Sequence, residues 1–205
     1  MKFFKSAWFK CIACLLVIAV VSGGLLTILS NLWKVSPEER TARAMAKIYG
    51  QPMEVSQVIR DIDSDDTSVN APLESAFGQL EKIYKVNVNG ENYDLVFQAK
   101  GNNGYKGGTI TLWVKVIYEN GVATQIDKVI LQTSEKQTLM SKLGGDFYDN
   151  FTLTDVTEDL KNGKFFTSNN KDTENVKNLV SGATMSANAA ANAVNCVIDY
   201  IWGNK

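Results

Sequence analysis

No charged residue interrupts the segment from Cys11 to Trp33, and this run constrains the chain more than any other feature. A helix rises about 1.5 Å per residue, so the run would be about 34 Å long as a helix. The hydrocarbon core of a bilayer is roughly 30 Å thick. The sequence therefore predicts one N-terminal transmembrane helix, with the rest of the chain on one side of a membrane.

Residues at the two ends of this run predict its orientation. Lys2, Lys5 and Lys10 precede it, and positively charged flanks are retained in the cytoplasm. Trp8 and Trp33 stand where interfacial aromatic residues are found. We therefore expect a single-pass protein of the cell membrane, with a cytoplasmic N-terminus and an extracytoplasmic C-terminal domain. A cleaved signal peptide is the alternative, although the run is long for one and no clear cleavage site follows it.

The segment after the run is predicted to be a stalk. Ser36-Pro37-Glu38-Glu39 combines a capping serine, a proline at the first helical position and acidic residues that suit the helix dipole. The helix is expected to continue through residues 41–49 and to end at Gly50-Gln51-Pro52. The acidic residues between 61 and 66 lack the spacing of an EF-hand, so we interpret them as a solvated loop.

The middle of the chain predicts two β-hairpins. Residues 84–88 and 93–98 alternate in polarity around an Asn89-Gly90 turn. Residues 109–118 and 122–131 are rich in β-branched and aromatic side chains and flank the turn Glu119-Asn120-Gly121.

Helical segments are expected around these hairpins, near residues 135–150, 155–162 and 186–202. The predicted fold is α+β: an antiparallel sheet flanked by helices, preceded by one N-terminal transmembrane helix. We divide the chain into a cytoplasmic stub and transmembrane helix (1–34), a stalk helix and linker (35–80) and a globular domain (81–205).

Composition excludes several classes of function. A net charge of −1 argues against a nucleic-acid partner. The chain contains no histidine, which removes the usual general base and the commonest metal ligand. Cys11 and Cys14 lie within the apolar run, and Cys196 stands alone on a predicted helix. We therefore predict neither a catalytic residue nor a metal site.

A hydroxyl-bearing stretch, Ser181-Gly182-Ala183-Thr184-Met185-Ser186, directly precedes an apolar helical stripe. The stripe comprises Ala187, Ala190, Ala191, Val194, Val197, Ile198 and Ile201. The unpaired N–H groups at a helix N-terminus, together with the helix dipole, favour an anion such as phosphate. An ordinary helix cap is the alternative, because Ser and Thr commonly begin helices.

Ser181-Gly182-Ala183-Thr184 resembles the flavinylation motif of the FMN-binding domain family. That family includes the G subunit of the Rnf electron-transport complex and the C subunit of the sodium-translocating NADH:quinone oxidoreductase. The resemblance implies that Thr184 carries covalent FMN through a phosphoester, attached by a flavin transferase of the ApbE type. Asn178 stands where the family usually has an acidic residue.

Two further loops are similar to segments of that family. Gly104-Tyr105-Lys106-Gly107 is similar to a Gly-Tyr-x-Gly segment that leads into a core strand; on composition alone it would be a plain connector. Residues 135–142 occupy the place of a Glu-Thr-Pro-Gly-Leu-Gly-x-Lys loop, but lack the proline and both glycines. Phe147 and Phe151, with helical spacing, are expected in the core.

The resemblance implies a redox subunit that transfers electrons through FMN, as part of an Rnf-like ion-translocating complex alongside other membrane subunits. A stand-alone surface flavoprotein in extracellular electron transfer is one alternative, and a flavin-free tethered binding module is another. The implied cofactor-binding residues are Thr184, Ser181, Gly182, Ala183, Ser186, Tyr105, Gly107, Gly108 and Thr109, with Glu135, Thr138 and Lys142 as weaker candidates. Among these, Lys142 would favour an anionic flavin ring and Tyr105 would stack on it.

Overall fold

A computed structural model describes residues 7–32, 36–53, 58–60, 73–156, 158–162, 166 and 182–203. Contacts divide the chain into two compact units, Met1–Thr41 and Ala42–Lys205. The acidic residues 61–66, Lys2, Lys5, Trp33, Asn178 and Ser181 lie outside the described residues.

The first unit contains a 26-residue helix, α1 (Ala7–Leu32). Its side chains are described from residue 11 to residue 27, and nearly all of them are exposed. Within the part of the chain that the structure describes, no helix combines the length and apolarity required to cross a membrane.

Helix α2 (Pro37–Tyr49) begins as the sequence predicts. The backbone N–H of Glu39 donates to Ser36 Oγ at 3.1 Å, so Ser36 caps the helix and Pro37 occupies its first position. Gly50 then adopts a left-handed conformation with φ of 68°, which ends the helix.

The second unit is built on one antiparallel sheet. Within the described residues it has six strands: β1 (Val58–Arg60), β2 (Leu73–Ser75), β3 (Gly78–Asn89), β4 (Asn92–Gly101), β5 (Ile110–Glu119) and β6 (Val122–Ser134). The strand order is β1-β3-β4-β5-β6, and β2 also pairs with β3. The two predicted hairpins, β3–β4 and β5–β6, are confirmed, and the α+β class with them.

The turns of these hairpins follow from their residues. Asn120 and Gly121 have φ of 53° and 74°, the left-handed pair that a two-residue turn needs to match strand twist. Gly90 likewise has φ of 63° between β3 and β4. The sequence predicted both turns correctly because the requirement is local.

The connections after β6 differ from prediction. The helix expected near residues 135–150 is wrong: the chain forms two short 3₁₀ segments, Met140–Lys142 and Gly145–Phe151. Their residues share the spacing of a helix, but Gly144 and Gly145 interrupt it, and the second segment turns Phe147, Tyr148 and Phe151 into the core. Phe147 and Phe151 are therefore core residues, as expected.

Among the described residues after β6, two α-helices follow: the short α3 (Glu158–Lys161) and the 19-residue α4 (Thr184–Trp202). The apolar face of α4 packs across β3, β4 and β5 and is lined mainly by alanine, so the helix lies close to the sheet. At Gly101, at the end of β4, an added Cβ would overlap the Ala189 carbonyl oxygen and approach Ala193 N to 2.4 Å.

The other face of the sheet is covered by the end of α2. Tyr84, Val86, Val96 and Trp113 alternate with residues of the first face and pack with Met45, Ile48 and Met53. The predicted stalk helix is thus, from Ala42 onward, part of the same compact unit as the sheet.

A polar cluster fixes Tyr49 at the end of α2. Its hydroxyl donates to Asp94 Oδ2 at 2.7 Å, and Asn87 Nδ2 donates to the same oxygen at 3.1 Å. Lys115 Nζ lies 3.6 Å from Asp94 Oδ2 and 2.8 Å from Asp127 Oδ2. Burial, followed by the hydrogen bond to Asp94, raises the pKa of Tyr49 well above its ordinary value.

A buried asparagine ties α4 to the chain that precedes it. Asn195 Oδ1 accepts from the Phe166 N–H at 2.9 Å, and Asn195 Nδ2 donates to the Phe166 carbonyl oxygen at 3.0 Å. The backbone N–H and carbonyl groups of Phe166 are therefore both hydrogen-bonded to one side chain, as they would be to a neighbouring β-strand.

Two buried side chains, Tyr148 and Cys196, should make the domain less stable at alkaline pH. Burial raises the pKa of Tyr148 from 10.0 to about 12 and the pKa of Cys196 from 9.0 to about 12. As pH rises, each group loses its proton in the unfolded chain before it does so in the folded chain. Their contribution to the free energy of unfolding is therefore full below about pH 9 and declines as pH rises toward 12.

We expect Tyr148→Phe to stabilise the domain and to weaken this alkaline loss. Within the described residues the Tyr148 hydroxyl has no hydrogen-bond partner, so removing it should relieve a burial cost of about 1 kcal/mol. Unfolding monitored at pH 7 and pH 11 measures both effects. A Tyr148→Phe protein less stable than wild type at pH 7 would show that the hydroxyl does have a partner.

Candidate functional site

Three segments that the sequence analysis singled out meet in the second unit. They are the glycine loop (residues 101–109) between β4 and β5, the 135–142 loop after β6, and the start of α4 from Gly182 to Ser186. Hydrogen bonds of one side chain, Gln137, join all three.

Thr184 is the first residue of α4, and it is exposed. The N-cap is Ala183, which is 3% exposed and makes no side-chain capping bond. The Ala187 N–H donates to the Ala183 carbonyl oxygen at 2.9 Å, the first bond of the helix. Thr184 is therefore not the residue that caps this helix, and its side chain is exposed.

Ser186, the third residue of the helix, is buried where Thr184 is exposed. It is 3% exposed, and its hydroxyl donates to Gln137 Oε1 at 2.7 Å. The Tyr105 N–H donates to the same oxygen at 3.2 Å, and Gln137 Nε2 donates to the Glu135 carbonyl oxygen at 2.9 Å. Ser186 thus binds a neighbouring loop and leaves the position at the helix tip to Thr184.

Lys142 brings a positive charge to the start of α4. Its Nζ would lie 2.8 Å from a Cβ built on Gly182, so the end of this flexible side chain lies beside the residues that begin α4. Gly182 also has φ of 82°, a conformation that other residues adopt with strain. The cation and the N–H groups at the helix start together provide a positive environment next to Thr184.

Glu135 contacts the residue that precedes β5 and the end of β4. Its N–H donates to the Thr109 carbonyl oxygen at 2.9 Å, and Thr109 Oγ1 donates to Glu135 Oε2 at 3.3 Å. Lys100 Nζ lies 3.8 Å from Glu135 Oε1, with the carboxylate side chain 63% exposed. Thr109 and Glu135 thus form one edge of the site, and this exposed ion pair stabilises it little.

The glycines have separate roles. Gly108 is buried, and an added Cβ would overlap the Glu135 carbonyl oxygen and lie 2.5 Å from Gln137 Nε2. Gly107, by contrast, is exposed, with φ of 68° and nothing within 4 Å of an added Cβ. Gly108 therefore allows two loops to pack, whereas Gly107 presents bare backbone to solvent.

Left-handed backbone conformations concentrate at this site. Among the described non-glycine residues with positive φ, Asn103 (61°) and Lys106 (51°) lie in the glycine loop and Lys136 (56°) lies in the 135–142 loop. Each such conformation costs of order 1 kcal/mol and persists only where surrounding contacts impose it. Strain of this kind is a feature of binding sites.

The remaining predicted residues are placed as follows. Tyr105 is half-buried, with Lys106 Nζ 5.4 Å from the centre of its ring. Thr138 is exposed, and the structure brings it into none of these contacts. Ser181 and Asn178 lie outside the described residues.

Sequence reasoning missed two residues that organise the site. In the sequence, Gln137 stands only where the similar loop of the FMN-binding family has a proline, and no pattern assigned a role to Asn192. Asn192 Nδ2 donates to the carbonyl and side-chain oxygens of Asn102, both at 3.0 Å, and so anchors the glycine loop to α4. The available signal was an asparagine pair, Asn192 and Asn195, in an alanine-rich helix where polar residues need partners.

No family model matches the chain, and no curated protein matches it. An assignment of function therefore depends on the residues and their geometry.

The site suits a phosphoester-linked ligand. Thr184 is an exposed hydroxyl-bearing residue, the helix start has N–H groups without an intrahelical partner, and Lys142 provides a cation. The exposed backbone of Gly107 and the half-buried Tyr105 ring lie in the adjoining loop, where an aromatic group could pack. These features fit FMN, whose phosphate and planar ring require a polar and an apolar contact respectively.

We expect Gly108→Ala to separate the glycine loop from the 135–142 loop. The new methyl group would collide with Glu135 backbone, which cannot rotate away, so the loss of stability should be about 2–3 kcal/mol. Gly145→Ala is the matched control, because it has open space and no positive φ. Thermal unfolding of the two variants compares them; equal melting temperatures would contradict this packing.

Proposed function

We propose that the chain is a membrane-anchored flavoprotein whose extracytoplasmic domain carries FMN through a phosphoester to Thr184. It would transfer electrons as a subunit of an Rnf-like, ion-translocating electron-transport complex. The observation that carries this proposal is the Ser181-Gly182-Ala183-Thr184 sequence, with the Thr184 hydroxyl exposed at the first residue of a long helix.

The surrounding residues support the proposal. Thr184 is not needed as a cap, so its hydroxyl is available for esterification. Lys142 and the helix start would neutralise the phosphate, and Lys142 would also favour a reduced, anionic ring. The three segments that resemble the FMN-binding family converge on Gln137 although 49 residues separate Gln137 from Ser186.

Flavin, when bound, would supply the redox chemistry by accepting electrons from a donor and passing them to an acceptor. The chain's own residues would attach, orient and surround it. We assign attachment to Thr184, phosphate contacts to the helix start and Lys142, and ring contacts to Tyr105, Gly107 and Thr109.

The membrane anchor is proposed from the sequence. The uncharged run extends from Cys11 to Trp33, and large apolar side chains lie on every face of the described part of α1. Each of the following is at least 55% exposed: Ile12, Leu15, Leu16, Val17, Ile18, Val20, Val21, Leu25 and Leu26. A helix that is apolar all round is stable only when it is buried in protein or lipid.

The anchor predicts a topology that can be measured. A reporter active only in the cytoplasm, fused after Lys205, should be inactive, whereas the same reporter fused before Met1 should be active. The three lysines before the run would retain the N-terminus inside. Cytoplasmic activity of the Lys205 fusion would contradict both the orientation and extracytoplasmic flavinylation.

A second role, as a stand-alone surface carrier for extracellular acceptors, is favoured by the 135–142 loop. It lacks the family's proline and glycines, and here the Gln137 side chain bridges the loops instead. Copurification separates the two roles, because a complex subunit should bring multi-span membrane partners with it.

Co-expression with a flavin transferase tests the central proposal. The intact mass of the full chain should increase by one FMN less one water, and the protein should be yellow. An unmodified mass with an active transferase would favour the flavin-free tethered binding module.

A further inference from the structure

We propose that Gln137 is the positioning residue of the flavin site, holding the glycine loop and the start of α4 in a fixed relation. This inference rests on the proposed function. Gln137 would not contact the flavin's reacting atoms; it would act through Tyr105 and Ser186, whose backbone and hydroxyl groups it binds.

The chemistry of an amide explains why one side chain can join three segments. Gln137 Oε1 has two lone pairs, and it accepts one hydrogen bond from the Tyr105 N–H and one from the Ser186 hydroxyl. Its Nε2 donates to the Glu135 carbonyl oxygen and fixes the amide plane. The backbone N–H of Tyr105 can only donate, so the oxygen must face it and the amide cannot be reversed.

The glycine loop is built around this amide. An added Cβ at either Gly104 or Gly108 would lie 2.5 Å from Gln137 Nε2, too close for any real side chain. The Gly104 N–H also donates to the Gly108 carbonyl oxygen at 3.0 Å, which closes the loop around the amide. These two glycines therefore make room for Gln137, and Gly107 alone leaves backbone open on the outer side.

Gln137 links the two parts of the site that would hold a flavin. Tyr105 belongs to the loop proposed to line the ring, and Ser186 lies two residues after the proposed attachment point on the same helix. Without the amide, the Tyr105 N–H and the buried Ser186 hydroxyl would each lose a partner, and the loop and the helix could move independently.

The test compares Gln137→Met, Gln137→Glu and the control Gln132→Met in the full chain. Methionine has similar length and no amide, glutamate keeps the acceptor oxygens, and Gln132 is exposed on β6. Without the transferase, amide hydrogen exchange at Tyr105 should be about tenfold faster in Gln137→Met, as expected for a lost hydrogen bond. It should be unchanged in Gln132→Met and slower in Gln137→Glu than in Gln137→Met, because glutamate keeps the acceptor oxygen although it loses the donor to Glu135.

With the transferase, Gln137→Met should still carry covalent flavin but should lose most of the visible-region circular dichroism that a fixed ring produces. Gln137→Glu should retain it. The inference would be overturned, and the proposed function kept, by one result: wild type carries covalent flavin, and Gln137→Met keeps both slow Tyr105 exchange and full dichroism. An unlabelled wild type would refute the proposed function and the inference with it. If Gln137→Met does not fold, Gln137→Ala also removes the amide, and slow Tyr105 exchange with full dichroism in that variant would equally overturn the inference.

Discussion

Replacing Thr184 with valine should abolish covalent flavin on the chain while leaving its fold intact. A phosphoester requires the hydroxyl oxygen, and valine removes it while keeping the β-branched shape. Thr184 is exposed and is not the N-cap, so the stability change should stay within about 0.5 kcal/mol. In-gel flavin fluorescence under denaturing conditions, after co-expression with the transferase, measures attachment; thermal unfolding measures stability.

Three variants accompany that experiment. Thr184→Ser keeps the oxygen and should remain competent, while Ser181→Ala and Ser186→Ala should keep covalent flavin because the motif places attachment on its final threonine. Fluorescence that persists in Thr184→Val would show that another residue carries the flavin. A wild-type protein without flavin fluorescence would instead favour the flavin-free tethered binding module.

A methyl group at Gly101 should have the largest effect on stability. A Cβ there would overlap the Ala189 carbonyl oxygen and approach Ala193 N to 2.4 Å, and both are backbone atoms of α4. The helix would have to move off the sheet, so we expect Gly101→Ala to cost about 3 kcal/mol or more. In a domain of this size that would lower the melting temperature by roughly 6–12 °C.

Gly144→Ala is the matched control for Gly101→Ala. An added Cβ at Gly144 meets nothing within 4 Å, and its φ of −59° suits any residue. Near-ultraviolet circular dichroism of the full chain, followed against temperature, reports loss of tertiary structure in both variants. A Gly101→Ala protein as stable as the control would mean that α4 packs less closely than the structure indicates.

The sequence predicted the parts of the fold that local chemistry decides. Alternating polarity predicted β3 and β4, and β-branched and aromatic side chains predicted β5 and β6. Asn120-Gly121 determines a turn by its left-handed φ values, and Ser36 determines the start of α2 by capping it. Each of these depends on residues close together in the chain, so the pattern alone was sufficient.

What remained unpredicted depends on contacts between distant residues. The 3₁₀ segment Gly145–Phe151 has helical spacing, and only its packing against β6 and the core decides its conformation. Strands β1 and β2 have three residues each, too few to show a period. The role of Gln137 could not be predicted either, because its partners Tyr105 and Ser186 lie 32 and 49 residues away.

The pairing of Asn195 with Phe166 makes the number of residues between Thr184 and Asn195 critical. It joins two residues 29 apart in sequence, and one of them lies on a regular helix whose every added residue rotates the side chains that follow. One residue added between Thr184 and Asn195 would turn the asparagine about 100° around the helix axis and away from its partner. The register of this helix is therefore fixed by an asparagine eleven positions beyond its first residue.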